Sequence, residues 1–191
     1  MTTTAEALEI RPIAPVDEQA LLEGFKRLSP ESRYRRFLSP HGTLTRRELR
    51  YLTEVDHHDH EALVATDPLS GEGVGVARYV RSKDDPTVAE VAVAVIDDRQ
   101  RQGVGTRLLS ALAERARTEG IASFTALVLA DNELMLNLLD ELGRVSIGKS
   151  EAGAVEVTVD LPDTGLGHLR RLLRALARGE LRPFPTGHRA S

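Results

Sequence analysis

Short apolar runs alternate with amphipathic ones along the chain, and the period of each predicts its structure. LEIRPI (8–13) alternates apolar and polar residues, the pattern of a half-buried strand. VDEQALLEGFKRL (16–28) places Ala20, Leu21, Phe25 and Leu28 near helical spacing and predicts a helix. Ser29, Pro30 and Glu31 form a helix start: a capping hydroxyl, a proline at the first helical position and an acid at the positive end. The short helix SRYRRFL follows, with Tyr34 and Phe37 expected to pack inward. Thr45 caps the next helix, RRELRYLTEV, and Glu48 completes a capping box. EALVATD (61–67) and VGVARYVRS (74–82) read as the strands of a hairpin, with GEGVG (71–75) belonging to its turn.

TVAEVAVAVI (87–96) is almost wholly apolar, which places it at the centre of a sheet. A glycine-containing loop then opens a leucine-rich helix that runs through Glu119 and closes at Gly120. SFTALVLA (123–130) predicts a strand, NELMLNLLDEL (132–142) a helix ended by Gly143, and RVSIGKS with AVEVTVDL (154–161) a final strand pair. The order β-α-α-α-β-β-β-α-β-α-β-β predicts an α/β domain, a mixed sheet with helices on both sides. Past Pro162, HLRRLLRALARGEL is a basic amphipathic helix with Leu169, Leu172, Leu173 and Leu176 on one side. The expected organisation is a loose N-terminus (1–7), one domain (8–161), and a linker, helix and tail (162–191). The leucine stripe reads as a docking or homodimer surface rather than a membrane helix.

Composition narrows the function classes. A chain of 191 residues suits one well-buried domain. With 28% charged residues and a formal net charge of −4, it lacks the basic footprint of a nucleic-acid binder, and the single turn carrying Arg33, Arg35 and Arg36 does not change that. The absence of cysteine removes thiolate nucleophiles, disulfides and cysteine metal sites. No apolar run approaches the roughly 20 residues of a bilayer span, and nothing resembles a signal peptide, so the expected location is the cytoplasm. Asp56-His57-His58-Asp59-His60 invites a metal reading, but five consecutive side chains point apart, so a polar loop is expected and no metal, with Asp59 or His60 near an acceptor site.

The candidate chemistry sits in DDRQRQGVGTRLL (97–109), between the central strand and the leucine-rich helix. It fails the dinucleotide fingerprint at Leu108, where a third glycine belongs, and contains no GxxxxGK[ST] run. Backbone N–H groups at a helix N-terminus next to Gly103 and Gly105 still make an anion site, to which Arg101 and Arg107 add charge. A tight strand-to-helix turn is the equal alternative on spacing alone.

Gln100, Gly103 and Gly105 in this context resemble the Q-x-x-G-x-G pyrophosphate motif of the GNAT superfamily of acyl-CoA-dependent N-acyltransferases. The resemblance covers roughly residues 8–161 and implies the GNAT fold, a mixed sheet of about seven strands flanked by helices. It implies that backbone amides from Arg101 through Gln102, Gly103, Val104 and Gly105 to Thr106 hold the pyrophosphate of coenzyme A. Strand 91–96 is implied to splay from 123–130, with the pantetheine arm bonding into the gap at Val93 and Val95 and Asn132 beside it. LSPESRYRRF (28–37), VDHHDHEALVA (55–65), ARYVRSKDDPTVAEVAVAV (77–95) and VLADNELMLNLLDELG (128–143) further resemble the acetyltransferase domain of bacterial Pat-type protein lysine acetyltransferases. These commonly modify acyl-CoA synthetases and often carry a fused regulatory domain, for which 191 residues leave no room.

Acyl transfer to an amine needs a base, a polarised thioester carbonyl and a proton for the thiolate. Glu90 interrupts V-A-E-V-A-V-A-V on the face shared with Ala92 and Ala94, where partial desolvation would tune a carboxylate toward base chemistry. Residue pattern alone favours an exposed carboxylate near a strand start; the Pat-type resemblance implies the catalytic glutamate. Carbonyl polarisation is implied from N–H groups near Val93. Many GNAT enzymes place a tyrosine after the asparagine, but 132–142 has none, and Tyr34, Tyr51 and Tyr79 match no such position. The expected function is direct acetyl transfer from acetyl-CoA to a protein lysine. The alternatives are acetylation of a small amine and a non-catalytic acyl-CoA-binding module.

Overall fold

The computed structural model describes residues 8–162. Strands β1 (Glu9–Pro12), β2 (His60–Thr66), β3 (Gly73–Arg81), β4 (Val88–Val95), β5 (Ser123–Leu129), β6 (Arg144–Glu151) and β7 (Ala154–Asp160) form one seven-stranded sheet in the order β1-β2-β3-β4-β5-β7-β6. Neighbours pair antiparallel except β4 and β5, which are parallel. Helices α1 (Glu18–Lys26), α2 (Pro30–Phe37) and α3 (Arg46–Thr53) precede β2, α4 (Val104–Thr118) crosses from β4 to β5, and α5 (Glu133–Asp140) leads to β6. The expected order and the central place of the apolar strand both hold.

The two faces of the sheet are filled from different parts of the chain. On the back, Leu108, Leu109 and Leu112 of α4 are fully buried against Ala77, Tyr79, Ala89 and Val91. On the front, Phe25, Leu28, Leu44 and Leu49 make a smaller cluster with Leu22, Phe37 and Ala94. Alternation along β4 follows, with Ala89 and Val91 facing back and Ala92 and Ala94 facing front.

Local caps match the sequence signals. Ser29 Oγ accepts from Ser32 N at 3.1 Å to start α2, worth about 1 kcal/mol, and Thr45 with Glu48 closes the box on α3. The first expected helix is divided: Pro15–Asp17 is a 3-10 turn, because Asp17 accepts from Ala14 N and holds Arg11 at 2.7 Å. Tyr34 does not pack inward. It is 44% exposed, while Arg33 and Phe37, one helical turn apart, address Phe25 instead. The basic amphipathic segment 168–181 lies outside the described residues. Among the described residues no helix is long and apolar enough to cross a membrane.

Candidate functional site

The site begins where a ladder stops. β4 pairs with β3 throughout, from Arg81↔Ala89 to Gly75↔Val95, but with β5 only at Val88↔Ser123, Ala89↔Phe124 and Glu90↔Thr125. Ile96 N donates to Val74 O and Ser82 N donates to Val88 O, so even-numbered residues of β4 bond to β3. The backbone groups of Val93 and Val95 therefore point toward β5, beyond the last β4–β5 pair. A cleft of about 420 Å³ opens there, walled by Val91–Val95 on one side and Ala126, Leu127 and Val128 on the other.

The loop after β4 closes one end of the cleft. A 3-10 turn (Asp97–Arg99) leads to Arg101 and Gly103, both left-handed at φ 57 and 81, and Gly103 caps α4 without any side-chain acceptor. The first turn of α4 carries no acid, so its outward N–H groups meet no anion of the chain's own helix. The glycines divide the work. Gly103 supplies the left-handed turn, whereas a Cβ on Gly105 would meet Leu138 of α5 at 3.1 Å, so Gly105 permits close α4–α5 packing. Leu108, which breaks the dinucleotide fingerprint, is fully buried and lies 3.0 Å from where a Cβ on Gly75 would stand.

The predicted binding residues separate by position. Val93, Val95, Gln100, Arg101, Gly103, Gly105, Thr106 and Asn132 line the cleft. Gln100 does so as a brace, its Nε2 donating to Val95 O at 3.0 Å and to Ser32 Oγ at 3.2 Å, which ties the loop to β4 and α2. Gln102 donates to Asp98 O and Val104 is buried in the core, so both shape the loop without lining the cleft with their side chains. Arg107 also lies off the lining, and its buried Nη1 finds no partner within the described residues. Asn132 caps α5 by accepting from Met135 N at 3.3 Å, and Thr106 Oγ1 donates to Glu141 across the mouth. α2 forms the front wall, with Ser32, Arg35 and Arg36 on the lining.

Glu90 sits at the fork, on the last residue of β4 paired to β5. Of the two readings, an exposed carboxylate and a partly desolvated base, the structure shows the first: the side chain is exposed, because the apolar run around it is buried mainly through its back face. Around Glu90 lies a polar cluster that periodicity did not flag. Arg78, opposite Ala92, is only 6% exposed and donates to His60 Nε2 at 3.0 Å and to Leu52 O at 2.8 Å. Burial and the neighbouring Arg36 push its pKa down to about 10. Burial, then Arg78, pushes His60 down to about 4, leaving a neutral ring whose Nε2 accepts from Arg78. Arg36 is lowered by burial, with Glu90 and then Tyr51 pulling the other way. An arginine inside the strand VGVARYV was the available signal.

The histidine-rich loop diverges as its geometry requires. Asp56 accepts from the N–H groups of His58, Asp59 and His60, while His57 reaches Glu61, His58 reaches Glu119, and Asp59 reaches Arg81. Among the described residues no cluster of three His, Cys, Asp or Glu side chains is placed to hold a metal ion. Tyr79 is fully buried and donates to His58 O, Tyr51 tilts over His60 at 4.9 Å, and α5 offers no hydroxyl of its own.

Comparisons with known proteins agree with this geometry. The model of the acetyltransferase (GNAT) family matches residues 24–143. Acetyltransferase Pat of Mycolicibacterium smegmatis is 40% identical over 159 residues, 83% of this chain and 47% of that protein. The chain thus spans about half the length of that relative. Acetyltransferase PA5475 of Pseudomonas aeruginosa is 31% identical over 71% of this chain and 74% of its own length. The crystal structure of the GNAT domain of S. lividans PAT superposes with a TM-score of 0.74 at 33% identity, covering 81% of this chain and 90% of that one. With the forked sheet, the open helix N-terminus and a family match over most of the described residues, the chain belongs to the acetyltransferase (GNAT) family.

Proposed function

We propose that the protein transfers the acetyl group of acetyl-CoA to the Nε of a lysine on another protein, with Glu90 as general base. The observation that carries this reading is the cleft between β4 and β5, which ends on the uncapped N-terminus of α4. Amides from Arg101 to Thr106 would take the pyrophosphate, with Arg101 at the mouth adding charge. The pantetheine arm would add to the open edge of β4 at Val93 and Val95 as an extra strand does, with Asn132 beside it. That places the thioester carbonyl at the Val93 N–H, which stabilises the oxyanion as the amine attacks.

The lysine nitrogen forms its bond to the carbonyl carbon, the carbon–sulfur bond breaks, and the amine proton passes to Glu90 directly or through one water. Coenzyme A leaves as a thiolate or takes a proton from solvent. Arg36, beside Glu90, fixes the local charge. The resemblance of segments 28–37, 55–65, 77–95 and 128–143 to Pat-type protein lysine acetyltransferases supports a protein acceptor, with an acyl-CoA synthetase as the first candidate. Association of two copies through segment 168–176 is part of the same reading, and sedimentation of the full chain tests it.

The test incubates the protein with acetyl-CoA and a purified acyl-CoA synthetase and reads acetyl-lysine by mass spectrometry. Acetyl-lysine on the synthetase supports the proposal. Turnover of free amines alone would replace it with small-amine acetylation, and tight acetyl-CoA binding without turnover on either acceptor would make the protein an acyl-CoA-binding module.

A further inference from the structure

A second cavity lies against the first. About 80 Å³ of space lies between α1 and the front of the sheet, walled by Leu21, Phe25, Leu52, Val64 and Val76. It shares three residues with the cleft, namely Leu28, Arg36 and Ala94. Ala94 is next in the chain to Val93, and its methyl is all that β4 places between the two spaces at that point.

The polar groups on the cavity margin are already engaged. The Arg78 guanidinium donates to His60 and to Leu52 O, Asp17 is held by Arg11, and the Arg36 guanidinium stands 4.8 Å over the Phe37 ring. Apart from the Thr66 hydroxyl, what the lining offers an occupant is mainly hydrocarbon, which suits an apolar group. We propose that this cavity is an acyl-chain pocket, so that the cleft accepts straight-chain acyl-CoA thioesters longer than acetyl-CoA, butyryl-CoA among them, since about 80 Å³ is well above the roughly 10–15 Å³ that one water-sized group needs.

The inference rests on the reading of the cleft as an acyl-CoA site, with the thioester carbonyl at the Val93 N–H. From there the substituent beyond the carbonyl turns to the front face, where Ala92 and Ala94 present only methyl groups, and continues past Leu28. A bulkier residue at 94 would close the passage. Val76, the cross-strand partner of Ala94, walls the cavity without lining the cleft, so it can be enlarged without touching the cofactor path.

The experiment titrates the full chain with acetyl-CoA and butyryl-CoA by calorimetry, for the natural sequence and for Val76→Phe. Butyryl-CoA is expected to bind the natural sequence at least as tightly as acetyl-CoA. Val76→Phe is expected to weaken butyryl-CoA about tenfold or more while acetyl-CoA affinity stays within about a factor of two, since one methylene without room costs that much. A roughly tenfold weaker butyryl-CoA on the natural sequence, with acetyl-CoA binding normally, overturns the pocket, because a closed site rejects added methylenes by that margin. Unchanged butyryl-CoA affinity in a Val76→Phe protein that binds acetyl-CoA overturns it as well. Failure of both thioesters to bind the natural sequence refutes the cleft reading itself, which is a separate result.

Discussion

From Val88 to Glu90, β4 is hydrogen-bonded on both sides; from Val91 to Val95 it keeps only β3. The two halves are alike in composition, small and β-branched apolar residues with Glu90 at their junction. The difference lies in the neighbour. β5 stays paired to β7 along its whole length, Ser123 to Leu129, and so is carried away from β4 after Thr125. The inner half of β4 is thereby an edge strand in the middle of a sheet. An edge offers unpaired backbone groups, normally a liability, and here they face a cleft sized for a small-molecule arm.

Proline separates the two sides of this strand most sharply. Ala94→Pro removes an N–H that bonds to β3 and leaves the Val76 carbonyl without its donor, an expected loss of about 3 kcal/mol of stability in urea titration. Val93→Pro removes an N–H that faces the cleft, so it should cost about 1 kcal/mol of stability while abolishing most acetyl transfer. Equal destabilisation by both would mean that residues 91–95 are paired on both sides in solution.

Glu90→Gln, at the junction, should lower turnover by about a hundredfold with little change in acetyl-CoA affinity, read from kcat and KM at saturating acceptor. A natural rate would remove Glu90 from the mechanism. Gly103→Val places a β-branched residue at φ 81 and strains the turn by roughly 1–2 kcal/mol, so acetyl-CoA affinity should fall about tenfold in calorimetry.

The smallest effect concerns the polar cluster on the front face. His60 has an ordinary pKa near 6.5 when unfolded and is pushed down to about 4 in the fold. Between those values the unfolded chain binds the extra proton, so stability from this group is complete above 6.5 and is lost as pH falls toward 4. The urea midpoint should therefore decline across that window, and His60→Gln, which keeps an acceptor for Arg78, should flatten part of the decline.

Element order was legible in the sequence because capping residues and periodicity act locally: Ser29, Thr45 with Glu48, and the leucine stripe of α4 all behave as read. The loop at 97–106 was legible through its glycines, although only Gly103 holds a left-handed turn while Gly105 serves helix packing. Glu90 was legible only as a choice between an exposed carboxylate, which the residue pattern favours and the structure shows, and a partly desolvated one, since an apolar run does not say which of its two faces is covered. Arg78 and His60 were hidden for a related reason. They are neighbours only through the β2–β3 register, which no local pattern reports. The fork itself depends on the path of β5, set by its pairing with a strand some 25 residues later in the chain.

The most direct measurement follows backbone amide resonances of the protein as acetyl-CoA is added. The amides of Val93, Val95 and residues 101–106 should shift together and saturate with one affinity, while those of Ala92 and Ala94, bonded to β3, move least. Shifts confined to other parts of the chain, or none at saturating acetyl-CoA, would contradict the claim that the open edge of β4 and the head of α4 form the acyl-CoA site.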